Sequence, residues 1–434
     1  MADLQHVFQV AANERHERPP WAGAHIPPPP DLQRITQRAI DIYLLSKQPN
    51  GEMGGIGWWQ SANGYTAVAL HDYWAGTRRN YDALADALRQ CERSHAGLIN
   101  EFNDDTLWWA MCCVHVYSIG GDTWFLEKAK GIWRHVHSKN SVCGRGQIRF
   151  RDQDMEGACF WTTKPGEGQI NSISSGLYAE LSARLAIIEG SHGGGGGDGH
   201  HGGSSLEERH PHLSKLQGIL AGYSSSSSGG GGGGGGSNDY IETARCSLNW
   251  ILRCRYRPRD AVVLDGIRLT KNEAVDWTFT YTTAVALGAS ALLYEATHEP
   301  EYLTLACHMA HQAMRRGDWV EGNGVLTEHG SFGKGNHDPT KNDDAVGFKA
   351  VLIRHLGVLY EVILKTNAAS PEARETAALI REFVNLNFRS QLERNTNGNG
   401  QYGPWWNGPF EIPTSHSQMA VMDVMAAVMI VNRS

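Results

Sequence analysis

Apolar residues recur at helical spacing in twelve stretches of this chain: 31–47, 61–76, 80–97, 105–119, 122–138, 171–189, 238–254, 277–297, 300–316, 343–366, 371–392 and 414–432. Runs of alternating β-branched residues, which would argue for strands, are few. Every second stretch is strongly apolar. Between 61 and 76 the only formal charge is Asp72, 106–119 and 277–294 have none, and 414–432 has only Asp423, whereas 31–47 and 122–138 carry five charges each. A helix that is apolar on all sides is buried, and one with a charged face is half exposed. Six buried helices alternating with six two-faced ones predict an all-α fold, an (α/α)6 barrel in which a six-hairpin toroid keeps its even-numbered helices inside. A short internal repeat agrees with this, since Gly121-Asp122-Thr123-Trp124-Phe125-Leu126 and His298-Glu299-Pro300-Glu301-Tyr302-Leu303 open equivalent outer helices.

Two segments stand outside the pattern. Residues 1–30, with Pro19, Pro20 and Pro27 to Pro30, read as a proline-rich, extended lead-in. Residues 191–237 hold long Gly and Ser runs that cannot bury enough apolar surface to offset their ordering entropy, so a disordered, flexible insertion is expected between the sixth and seventh helices. The remainder, 31–434, is expected to form one domain.

Charge and composition narrow the function. With 39 basic against 46 acidic residues and no basic run, neither nucleic acid nor an anionic membrane surface is an expected partner. No window nears the roughly 20 apolar residues that span a bilayer, and neither a secretion signal nor a lipid-anchor tail is seen, so a soluble cytoplasmic protein is expected. The eight cysteines include no CxxC and sit mostly among apolar residues, as buried thiols of a reducing compartment would. His200, His201, His210 and His212 lie in the insertion without zinc-site spacing; no metal and no cofactor are expected, and the chain is read as a monomer.

If the inner helices run parallel, their N-termini gather at one mouth of the barrel. The residues there are Trp58-Trp59-Gln60 with Asn63, Asn103-Asp104-Asp105 with Trp108, Trp161 with Asn171, Trp277 with Tyr281, Asp343-Asp344 with Lys349, and Trp405-Trp406. Indole faces stack on the C–H faces of sugars while amides and carboxylates satisfy hydroxyls, so the mixture points to a carbohydrate cleft. Glycoside hydrolysis needs two carboxyl groups, and a retaining enzyme holds them about 5 to 5.5 Å apart. Adjacent aspartates entering a helix can reach that, and both Asp104-Asp105 and Asp343-Asp344 qualify.

The segment Asn103-Asp104-Asp105-Thr106-Leu107-Trp108-Trp109-Ala110, followed by Gly121 to Ala129, resembles the catalytic Asp-Asp segment of glycoside hydrolase family 76, the endo-α-1,6-mannanases and their fungal cell-wall relatives. The likeness continues through Trp59 to Asn63, Trp161 to Lys164, Asn171 to Leu181, Trp277 to Tyr281, Phe348-Lys349 with Arg354, and Gly403 to Pro409. It implies an (α/α)6 barrel, cleavage of internal α-1,6-mannosidic bonds with retention, an α-mannan oligo- or polysaccharide as partner, Asp104 as nucleophile and Asp105 as general acid/base. Family relatives are secreted or wall-associated. Where they commonly carry Tyr-Asn-Gln/Gly, this chain has Tyr281-Thr282-Thr283-Ala284. The alternatives are a mannan or GPI-glycan transglycosylase, a non-catalytic carbohydrate-binding barrel, and, behind these, a sugar epimerase using His416 or His329.

Overall fold

The computed structural model describes residues 4–23, 26–138, 141–192, 236–332, 338, 340, 344–367 and 369–433. Twelve helices build the barrel: α1 (Leu32–Leu44), α2 (Trp58–Ala75), α3 (Tyr81–Ser94), α4 (Asn103–Gly120), α5 (Thr123–Val136), α6 (Ser172–His192), α7 (Ser237–Cys254), α8 (Thr280–Thr297), α9 (Pro300–Ala313), α10 (Ala345–Lys365), α11 (Pro371–Arg394) and α12 (Ser415–Val431). The even-numbered helices form the inner ring. Helix α2 packs on α4, α4 on α6, α6 on α8, α8 on α10, α10 on α12, and α12 closes back on α2.

The charge alternation explains the sorting. Every residue of α2 from Gln60 to Asp72 is buried, as is every residue of α10 from Ala345 to Tyr360, while outer α3 buries only Leu84, Ala85, Ala87, Leu88 and Cys91. Close approach of the layers uses glycine: a Cβ on Gly64 of α2 would collide with the Tyr43 hydroxyl of α1. Two ionic clusters are sealed inside the ring. Arg354 of α10 holds Asp423 of α12 through two bonds of 2.8 and 2.9 Å and donates to Asn63 Oδ1 of α2 at 2.7 Å. Glu180 of α6 accepts from His355 Nε2 at 2.8 Å and from Arg184.

Three features depart from the expected pattern. Helix α2 begins at Trp58, so Trp58, Trp59 and Gln60 lie in its first turn and not in a loop. Residues before α8 form a small antiparallel sheet of β1 (Gln169–Asn171), β2 (Tyr256–Arg257), β3 (Val262–Arg268) and β4 (Glu273–Thr278), in which β3 pairs with the other three. Trp277 therefore stands on a strand. Within the lead-in, Leu4–Asn13 is helical and packs on α9 and α7. Of the glycine-rich insertion, residues 193–235 lie outside the described residues. Among the described residues no helix is long and apolar enough to cross a membrane.

Candidate active site

The N-terminal ends of α2, α4, α8 and α10, with β1, β3 and β4, surround a cleft of about 630 Å³. Asp104 and Asp105 lie in the first turn of α4. That turn is fixed from outside the helix, because the Asn103 backbone N–H donates to Trp161 O and its side-chain amide to Phe160 O, both at 2.8 Å. Trp161 Nε1 in turn donates to Asp104 Oδ2 at 3.1 Å, and the Asp105 backbone N–H donates to Asp104 Oδ1 at 3.0 Å. Asp105 Oδ2 accepts from Asn100 Nδ2 at 2.9 Å.

Burial dominates the electrostatics of the pair. It pushes the Asp104 carboxyl well above the usual carboxylate range, with the charge of Asp105 adding to the rise. Asp105 is pushed up to about 6, by burial first, against the lowering effect of the Asn100 bond and with help from the charges of Asp344 and Glu101. Two neighbouring carboxyls treated this way keep a proton between them near neutral pH.

Asp344 also faces the cleft, its Oδ1 accepting from Gln60 Nε2 at 2.7 Å and Trp59 Nε1 at 3.1 Å. Asp343 lies outside the described residues. Trp58, Trp59, Gln60, Trp108, Trp161, Asn171, Trp277 and Tyr281 line the same cleft as Asp104, Asp105 and Asp344. Among the aromatic rings of the cleft Trp277 is the exposed one, at 57% of its surface, and Asp344 is exposed as well.

Four expected residues lie off the cleft wall. Asn63 is buried and accepts from Arg354. Lys349 is buried, donates to Val346 O at 3.0 Å and sits 5.3 Å from the Trp406 ring, on a side of α10 away from the cleft-lining Phe348. Trp406 is sealed in the main core, and Trp405 packs with Ala345, Val346 and Phe348 behind Trp59 and Tyr281. Of the two histidines considered for proton transfer, His416 is buried beside Trp59, and His329 lies near Glu321; neither lines the cleft.

The sequence pattern does not point to Asn100, Asp265 or Arg268. Asp265 and Arg268 come from β3, whose pairing joins segments far apart in sequence. Among the described residues no group of three or more His, Cys, Asp or Glu is placed to hold a metal ion.

The family model described as glycosyl hydrolase family 76 matches residues 32–193 and 235–434. Among solved structures, the chain is similar to an inactive variant of the alpha-1,6-mannanase of Salegentibacter sp. HEL1_6 in complex with alpha-1,6-mannotetrose, at 19% identity and a TM-score of 0.67 over 92% of this chain and 98% of that one. It is also similar to Dfg5 from Chaetomium thermophilum in complex with glucosamine, at 14% identity and a TM-score of 0.66 over 94% of this chain and 92% of that one. At such identities the likeness shows a shared fold. No curated protein matches the chain in sequence at a significant level.

Proposed function

Because this chain belongs to glycosyl hydrolase family 76, we propose that it cleaves internal α-1,6-mannosidic bonds of a mannan chain with retention of configuration, using Asp104 and Asp105. The observation that carries this reading is the adjacent carboxyl pair at a helix N-terminus in a cleft walled by Trp59, Trp108, Trp161 and Trp277.

The hydrogen bonds around the pair support a division of labour. Asp104 receives two N–H donors, the Trp161 indole and the Asp105 backbone, which favour its ionised form against the larger upward push of burial and of the Asp105 charge. Asp105 has one oxygen bound by Asn100, which leaves the other to carry the shared proton. Asp105 then protonates the departing glycosidic oxygen while Asp104 attacks the anomeric carbon and forms a glycosyl-enzyme ester. Water, deprotonated by Asp105, attacks that carbon from the opposite side and returns the proton, so that two inversions give net retention. The aromatic faces supply sugar stacking, and the α-1,6-mannose chemistry follows the mannanase likeness.

The deciding experiment is incubation with α-1,6-mannotetraose, product sizing, and NMR of the first anomer released. Internal cleavage to mannobiose with the α-anomer appearing first supports the reading. Release of mannose alone from one end, a β-anomer first, or no turnover of any α-mannoside would overturn it. Products longer than the tetraose would point to glycosyl transfer onto a second sugar.

A further inference from the structure

Strand β3 places an acid where the fold has no use for one. Asp265 sits at a β-bulge, where the pairing of β3 with β4 shifts register between Leu264 and Gly266, and Val263 and Ile267 on either side of it are sealed in the core. The position is crowded: a Cβ on the neighbouring Gly266 would lie 2.6 Å from Ile170 O of β1. Asp265 is 7% exposed and lines the cleft that holds Asp104 and Asp105.

The other three carboxyl groups of the cleft are each held by N–H donors: Asp104 by Trp161, Asp105 by Asn100, and Asp344 by Gln60 and Trp59. Among the described residues no protein group donates a hydrogen bond to Asp265. The two guanidinium groups whose charges reach it are engaged elsewhere. Arg255 bonds Asp276 Oδ1 and Val275 O at 2.7 Å, and Arg268 bonds Glu273 at 3.1 Å. Burial consequently pushes the Asp265 carboxyl up to about 6, against the lowering pull of those two arginines. A buried carboxylate without donors is costly in a native fold and calls for an explanation. Here the side chain lines the cleft, from which donors can arrive.

We propose that Asp265 is a substrate-binding residue whose carboxylate accepts hydrogen bonds from two ring hydroxyls of the sugar seated beside Asp104 and Asp105, and so selects a neutral sugar unsubstituted at those hydroxyls. Two carboxylate oxygens offer about four acceptor sites, matching a pair of hydroxyl donors and repelling a phosphate, sulfate or uronate. Asp104, Asp105 and Asp344 strengthen that repulsion, and the cleft's Arg268 is already paired. The inference rests on the glycoside-cleaving reading above and names a specificity element of the same site.

The test uses the full chain carrying Asp104→Asn and Asp105→Asn, so that binding is read without turnover. Calorimetry with α-1,6-mannotetraose gives the parent Kd. Adding Asp265→Ala weakens binding about 10- to 100-fold, as loss of charge-assisted hydrogen bonds implies, and Asp265→Asn weakens it less. A second readout needs no sugar: in the otherwise native chain at pH 8, Asp265→Asn melts at the same or a higher temperature, because an unpaired buried charge is gone. Unchanged mannotetraose affinity in Asp265→Ala, or a melting temperature several degrees lower in Asp265→Asn, would overturn the inference. Failure of the parent itself to bind the tetraose counts against the mannan assignment instead, and leaves the melting comparison to decide on Asp265.

Discussion

Asp104 and Asp105 sit where two effects oppose each other, the helix N-terminus favouring their negative charge and burial disfavouring it. Burial wins, and the folded protein keeps a proton that the unfolded chain releases above about pH 4. The stability this binding contributes is present below that pH; the share of Asp105 is lost as pH rises through about 6, and that of Asp104, pushed well above the carboxylate range, is lost only at higher pH. Asp105→Asn should therefore melt higher than the native chain at pH 8 and no higher at pH 4, as differential scanning calorimetry at the two pH values will show. On a mannan oligosaccharide, kcat/KM should be bell-shaped in pH, its alkaline limb marking loss of the shared proton. Asp105→Asn should remove that limb and lower kcat about 100-fold or more, least on an aryl α-mannoside whose leaving group needs no proton. The pair is visible in the sequence as two acids before an uncharged helical run, but Asp343-Asp344 meets the same spacing test, and the family resemblance is what separates the two. Asp265 and Asn100 are not visible there. Their positions depend on a strand pairing and a turn that local periodicity does not encode, and Lys349 misleads for the opposite reason, its charge being sealed over Trp406.

The helices are the most legible elements, because apolar spacing and charge are local properties. Each of the twelve expected stretches corresponds to a barrel helix, with boundaries shifted by a few residues where cap residues and loops compete. The sheet was missed because β3 finds β1 across the whole of α6 and α7, and because Trp277-Thr278-Phe279 reads as the start of an apolar helix when its strand partner is unknown. What binds one inner helix to the next is testable. The Arg354–Asp423 pair, with Asn63, joins α10, α12 and α2 below Trp108, whose ring lies 5.8 Å from the guanidinium. Arg354→Leu leaves a buried carboxylate alone and should cost about 3 to 5 kcal/mol. Arg354→Leu combined with Asp423→Leu should cost less than Arg354→Leu alone, a comparison that urea unfolding midpoints provide.

At the scale of the molecule, the closed inner ring follows from the apolar alternation, but the sequence pattern does not reveal how the chain's first residues are held. Phe8 meets Tyr302 edge-on at 5.7 Å, and Trp21 packs on Phe383 at 5.2 Å while donating to Met314 O. Between them His16 stacks on His311 at 4.3 Å and comes within 3.3 Å of His308. Burial first, and then the neighbouring histidine charges, hold His16 down to about 3 and His311 to about 4; burial also lowers His308. Arg315 adds to the lowering, and Glu14 opposes it at His308. Docking keeps these rings neutral, whereas the released segment takes up protons below about pH 6.5. The contact should therefore weaken as pH falls from about 6.5. Amide exchange in Leu4–Asn13 should be faster at pH 5 than at pH 7.5 after correction for the intrinsic rate, and His16→Gln should flatten the difference. The same contacts redraw the edge of the domain. The repeating helical pattern starts near residue 32, yet a protein trimmed there would bare Tyr302, His311 and Phe383 on its outer wall. That would make a sticky face from which separate molecules could aggregate. The folding unit is larger than the repeat that defines it.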